Sequence, residues 1–140
     1  MPKRIYIASD HRGYWLKDYL KRKFRLADLG TFDDSRLVDD VDYARKVVMH
    51  VKREKVPGIL ICGSGQGMAI SANRSKGIRA ALCKDITDAE WARKHTDANI
   101  LVLASEFTKG SQAQKIAEKF LRTKFLGLAR YNRRIKKMDL

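Results

Sequence analysis

The chain has 140 residues, 44% of them hydrophobic, which fits a folded protein with its own core and argues against disorder. Lysine and arginine number 30 against 16 acids, a net charge of +14, so the surface attracts anions: phosphorylated metabolites, nucleic acid or acidic lipid headgroups. No apolar run is long enough to cross a bilayer and the first residues lack a signal-peptide layout, so a cytoplasmic location is expected.

Arg4 to Ser9 is short, β-branched and apolar, and reads as a first strand. Asp10-His11-Arg12-Gly13 is a turn. Trp15, Leu16, Tyr19, Leu20 and Phe24 then recur at helical spacing with Lys and Arg between them. Leu26 to Leu29 is a candidate second strand ended by Gly30, and Thr31 to Val41 is an acidic loop. Ala44, Val47, Val48 and Val51 form an i, i+3, i+4, i+7 stripe, which predicts a helix over Asp42 to Arg53. Its His50 is given no role.

After Pro57-Gly58, the run Ile59-Leu60-Ile61 is apolar without alternation, as a strand covered on both faces should be. A glycine-rich loop, Gly63-Ser64-Gly65-Gln66-Gly67, follows, and Met68 to Asn73 can open a helix. Ile78 to Leu82 is a strand. Thr87 to His95 is a helix with Asp85 or Thr87 as cap. Ile100 to Leu103 is a strand, and Ser111 to Thr123 a helix with Ala113, Ile116, Ala117, Phe120 and Leu121 inward. A basic helix is expected at about 130–138. Strands alternating with helices predict βαβ units and a parallel sheet, in one domain over residues 1–140.

Ligands of such sheets bind outside the carboxyl ends of the strands. Three segments are expected there: Ser9-Asp10-His11, Cys62 to Gly67, and the approach to Asn99. Gly63, Gly65 and Gly67 let the backbone come close to a ligand, and their N–H groups can hold an anion or an oxyanion. The loop is neither a Walker loop nor a dinucleotide fingerprint; a tight strand-to-helix turn is the plainer alternative. Cys62, at its mouth, is a candidate general base, against a small buried core residue. Cys83 reads as core. The two cysteines have no metal-ligand spacing and fit a reduced compartment. His11 and His95 are candidate acid–base or anion-binding groups. Arg130 and Arg134 share a helix face and could clamp a phosphate or touch a nucleic-acid backbone; the alternative is a solvated basic tail.

In this order the segments resemble the type B ribose-5-phosphate isomerases and galactose-6-phosphate isomerase subunits. The matching pieces are Ser9-Asp10-His11-x-Gly13, Gly30-Thr31, Ile59 to Gly65-x-Gly67-Met68, Ala72-Asn73, Gly77 to Cys83, His95-x-Asp97-Ala98-Asn99 and Arg130-x-x-x-Arg134. The resemblance implies a Rossmann-like three-layer α/β/α sandwich with a parallel five-stranded sheet. It implies a homodimer with active sites at the subunit interface, with assembly to a tetramer left open, and no metal or organic cofactor. Ribose 5-phosphate and ribulose 5-phosphate would interconvert through an enediolate.

By the same resemblance Cys62 is the base, the amides of Gly63, Gly65 and Gly67 hold the oxyanion, Ser64 handles a sugar hydroxyl and His95 assists ring opening. Asp10 contacts the sugar, His11, Arg130 and Arg134 bind phosphate, and Asn73 and Asn99 join the substrate site. A second subclass carries a Glu base where this chain has Met68. The chain departs from the family pattern at Asp39-Asp40-Val41, where Asp-Tyr-Pro is common. It departs again at Thr96 for Asn, at Glu106 for a phosphate-binding Arg, and at Tyr131 for His. A hexose phosphate isomerase is therefore the alternative, and a basic nucleic-acid-binding protein on the same fold the more distant one.

Overall fold

The computed structural model describes residues 1–139. Along the chain run β1 (Tyr6–Ser9), α1 (Tyr14–Lys21), β2 (Ala27–Asp28), α2 (Asp40–Glu54), β3 (Gly58–Cys62) and α3 (Gln66–Asn73). β4 (Ala80–Leu82), α4 (Ile86–Thr96), β5 (Ile100–Ala104), α5 (Gly110–Arg122) and α6 (Ala129–Met138) complete it. The five strands form one sheet in the order β2-β1-β3-β5-β4, and every pairing is parallel. This is the α/β, Rossmann-like architecture that the alternating pattern predicts.

The strands read as continuous apolar runs because each face has its own core. Ile7, Ile59, Ile61, Leu101 and Leu103 pack with Leu16, Leu20, Ile116 and Phe120 on one side. Ala8, Leu60, Cys62 and Val102 pack with Val47, Val51, Met68 and Ala72 on the other. The stripe of α2 and the inward set of α5 are buried as their spacing predicts. Asp85 caps α4 by accepting a hydrogen bond from the Asp88 amide at 2.7 Å.

Three readings need correction. Helix α2 opens at Asp40, inside the segment read as loop, with Asp40 and Asp42 in its first turn where acids favour the helix dipole. In α1, Trp15 of the apolar series is exposed, whereas Lys17, read as a polar spacer, is buried. Lys17 Nζ donates to Asp28 Oδ1 at 2.8 Å and to the Thr31 carbonyl, and Lys21 reaches the other Asp28 oxygen at 2.8 Å. The third concerns Asn99, which precedes β5 and lies at the amino edge of the sheet, not at the carboxyl ends: its carbonyl accepts from the Gly58 amide at 3.0 Å.

Candidate active site

The chain passes from β1 out to β2 and returns through α2 to β3, so the crevice between β1 and β3 opens at their carboxyl ends. Ser9 is paired with Ile61 in that register, which places Asp10 beside Cys62 at the crevice mouth. Both are buried.

Asp10 Oδ1 accepts from the Gly13 amide at 3.0 Å, so the carboxylate turns the chain into α1. Burial pushes its pKa up, against the Gly13 N–H and neighbouring His11, while Asp40 adds to the rise. His11 Nδ1 accepts from the Val38 amide at 3.2 Å and so ties the loop before α2 to this edge.

Cys62 ends β3. Burial is the largest influence on its thiol and raises its pKa; Asp10 and Asp40 raise it further. The nearby N–H groups of Met68 and Gly65 oppose the rise by favouring the thiolate. Those amides are available because Gly65 sits at φ 79° with its Cα face 2.5 Å, measured to an added Cβ, from Leu82 Cδ1. A side chain there would be strained in dihedral and in space. Ser64 is exposed on the loop, its Oγ accepting from the Gln66 amide at 3.2 Å. Cys83 is buried in the opposite core and pushed up to about 12, chiefly by burial, which leaves it an inert packing residue.

The loop is braced by Ser105 and Arg12, which the sequence did not single out, and by Glu106, singled out only as a departure from the family pattern. Ser105 Oγ donates to the carbonyls of Arg12 and Cys62 at 3.0 and 3.2 Å, and the Ser105 and Glu106 amides donate to the carbonyls of Cys62 and Gly63. Arg12 lies across Gly63, and its guanidinium stands 3.8 Å from Glu106. Glu106 thus comes with its own counterion, so its charge is not an isolated repulsion for a phosphate. The signal available in sequence was position: both flank the carboxyl ends of strands.

The other candidates form a separate group. Helix α4 runs antiparallel to the strands, so its last turn returns to the amino edge. There the His95 ring lies between Trp91 and Tyr131, with centroids 5.5 and 5.1 Å away. Arg130 and Arg134 lie over the same Tyr131 ring at 4.7 and 5.9 Å, both exposed. Five-residue strands at about 3.3 Å per residue put on the order of 15 Å between this cluster and Cys62. One chain therefore brings Asp10, His11, Cys62, Ser64 and the glycine loop together, and it brings His95, Arg130 and Arg134 together elsewhere.

Asn73 and Asn99 join neither group. Asn73 exchanges two 2.8 Å hydrogen bonds with the Ala80 backbone, and Asn99 bonds the Arg79 amide and the Gly77 carbonyl at 2.8 and 2.9 Å. Both amides hold the starts of β4 and β5. A cavity of about 380 Å³ also lies at the amino edge, lined by Val51, Lys55, Arg79, Arg93 and Phe120 among others; it does not include Cys62. Its arginines are occupied by backbone carbonyls and Asp97, so the catalytic reading rests on the chemistry at the carboxyl edge. Among the described residues no group of three or more His, Cys, Asp or Glu is arranged to hold a metal ion, and no helix is long and apolar enough to cross a membrane.

Comparison with known proteins bears on this geometry. Residues 5–138 match the family model described as Ribose/Galactose Isomerase. A Mycoplasma pneumoniae protein named "Probable ribose-5-phosphate isomerase B" is 40% identical, covering 96% of this chain and 91% of its own. The crystal structure of a ribose 5-phosphate isomerase from Thermotoga maritima superposes with a TM-score of 0.94 at 44% identity over 97% of each chain. The type B ribose 5-phosphate isomerase of Trypanosoma brucei gives a TM-score of 0.94 at 36% identity, covering 99% and 98%.

Proposed function

The chain belongs to the ribose/galactose isomerase family and is a sugar-phosphate isomerase of the aldose–ketose class, and from that premise we propose that it interconverts ribose 5-phosphate and ribulose 5-phosphate with Cys62 as the base. The observation that carries the reading is the position of Cys62. Its thiol closes β3 at the crevice, beside Asp10, under amides of the glycine loop.

The Cys62 thiolate takes the proton from C2 of the open-chain aldose. The C–H electrons form the C1=C2 bond and the carbonyl electrons move to O1, giving an enediolate oxyanion. Amides of the Gly63–Gly67 loop, already oriented at a helix N-terminus, stabilise that charge without reorganising. A proton passes from O2 to O1, with Ser64 Oγ within the loop to handle a hydroxyl, and the Cys62 thiol returns its proton to C1. Asp10 accepts from the sugar and His11 faces the phosphate.

Ring opening and phosphate binding fall to His95, Arg130 and Arg134, which one chain holds at the far edge. The proposal therefore includes a homodimer in which a second copy supplies that cluster. Exposed apolar residues on the same elements, Trp91, Leu128 and Met138, support a covered surface there. One domain, a cytoplasmic location and no organic cofactor belong to the same proposal.

Incubation with ribose 5-phosphate in D₂O, followed by NMR, tests it. Deuterium should enter C1 of ribulose 5-phosphate from solvent, and Cys62→Ala should lose at least about a thousandfold in kcat, as expected for a base whose removal leaves binding intact. Conversion at undiminished rate in Cys62→Ala would remove Cys62 as base. No conversion by the folded protein would remove the substrate.

A further inference from the structure

One charged group at the carboxyl edge is unused by that mechanism. Asp40, half-buried at the start of α2, takes part in none of the ion pairs among the described residues. Its Oδ2 lies so close over Gly67 that a Cβ on that glycine would overlap it. Its charge also reaches both Asp10 and Cys62. Three elements therefore meet here: Asp10 after β1, Asp40 from α2 and Cys62 from β3. The nearby cation, Arg12 on the β1 turn, is paired with Glu106 after β5. Helix α3 carries no titratable residue. Two carboxylates thus stand across from the N–H groups of the glycine loop, and a ligand that brings hydroxyl donors to them, as a sugar does, completes the site.

We propose that Asp40 is a specificity-determining residue of the sugar site, its carboxylate accepting a hydrogen bond from a substrate hydroxyl and holding the carbon chain against the Gly63–Gly67 loop. The inference rests on the isomerase reading above and deepens it. An acid in the first turn of α2 also favours the helix dipole, a purely structural role. The two roles separate because a structural acid has no reason to distinguish one substrate hydroxyl from none.

The test compares the native protein, Asp40→Asn and Asp40→Ala on ribose 5-phosphate and on its 3-deoxy and 4-deoxy analogues. The native enzyme should prefer the full sugar over one analogue by about tenfold or more in kcat/KM, since a site built around a hydroxyl is left with an unpaired acceptor when it is missing. In Asp40→Ala that preference should vanish, with KM for ribose 5-phosphate raised by a similar factor. A second readout needs no substrate: the pH profile of Cys62 alkylation should move to lower pH in Asp40→Asn, because a negative neighbour that disfavours the thiolate has gone.

Deoxy discrimination unchanged in Asp40→Ala, or an alkylation profile unmoved in Asp40→Asn, overturns the inference. Failure of the isomerase reading looks different. The folded native protein would then turn over none of these sugars, while the alkylation profile would still report whether Asp40 faces Cys62.

Discussion

Cys62 is held between opposing influences. Burial and the carboxylates of Asp10 and Asp40 favour the thiol; the amides of Met68 and Gly65 favour the thiolate, and the sum lies above the ordinary thiol value. A base that is mostly protonated at neutral pH gains its active form as pH rises. The kcat/KM of the free enzyme should therefore climb about tenfold per pH unit from pH 6 towards 8, with no plateau near neutrality. A flat profile over that range would mean that the thiolate is already formed and the account of its surroundings wrong. Sequence could offer Cys62 only as base or core residue. What supports the proposed base is the meeting of Asp10 and the loop N–H groups beside one sulfur, which is a matter of strand register.

At the scale of elements, the β2-to-α2 segment borders the crevice through Val38 and Asp40, and Lys17 anchors its beginning. With 1% of its side chain exposed, Lys17 is paired with Asp28 and bonded to the Thr31 carbonyl, while burial works against its charge and lowers its pKa. Removing one partner of a buried pair costs about 3–5 kcal/mol. Lys17→Met should lower unfolding free energy by that order in a urea titration, whereas Lys21→Met, at the exposed end of the same network, should cost about 1 kcal/mol or less. Equal small losses would show that the pair adds nothing. Helix α1 was legible as a helix from its spacing, yet the inward residue at 17 was not, because a lysine is almost never buried and its partner stands on another element. Asp40 was visible only as a departure from the family pattern; its place was not, because the acidic segment from Thr31 to Val41 reads as loop until helix α2 begins inside it.

At the scale of the molecule, the site is divided. Asp10, Asp40 and Cys62 gather at the carboxyl edge, His95 and the arginines at the amino edge, and the direction of the elements that carry them keeps the two apart within one chain. The alternating pattern carried the sheet and its two cores, and the family motifs supplied the candidate residues, of which Asn73 and Asn99 join neither cluster. The carboxyl edge was legible for Asp10 and Cys62, which follow or end a strand, but not for Asn99, which precedes β5 and so lies at the opposite edge. Composition likewise gave an anion-seeking surface without saying that two of its arginines stand on the ring of Tyr131.

In the proposed dimer a catalytic centre is built from Cys62 of one copy and His95 of another. Cys62→Ala and His95→Ala chains carrying different affinity tags, co-expressed and purified as mixed dimers, test it directly. Each variant alone should be inactive, and the mixed dimer should recover about half of native activity, since one of its two sites receives both intact groups. Mixed dimers as inactive as either parent would contradict it and require both groups to act within one chain.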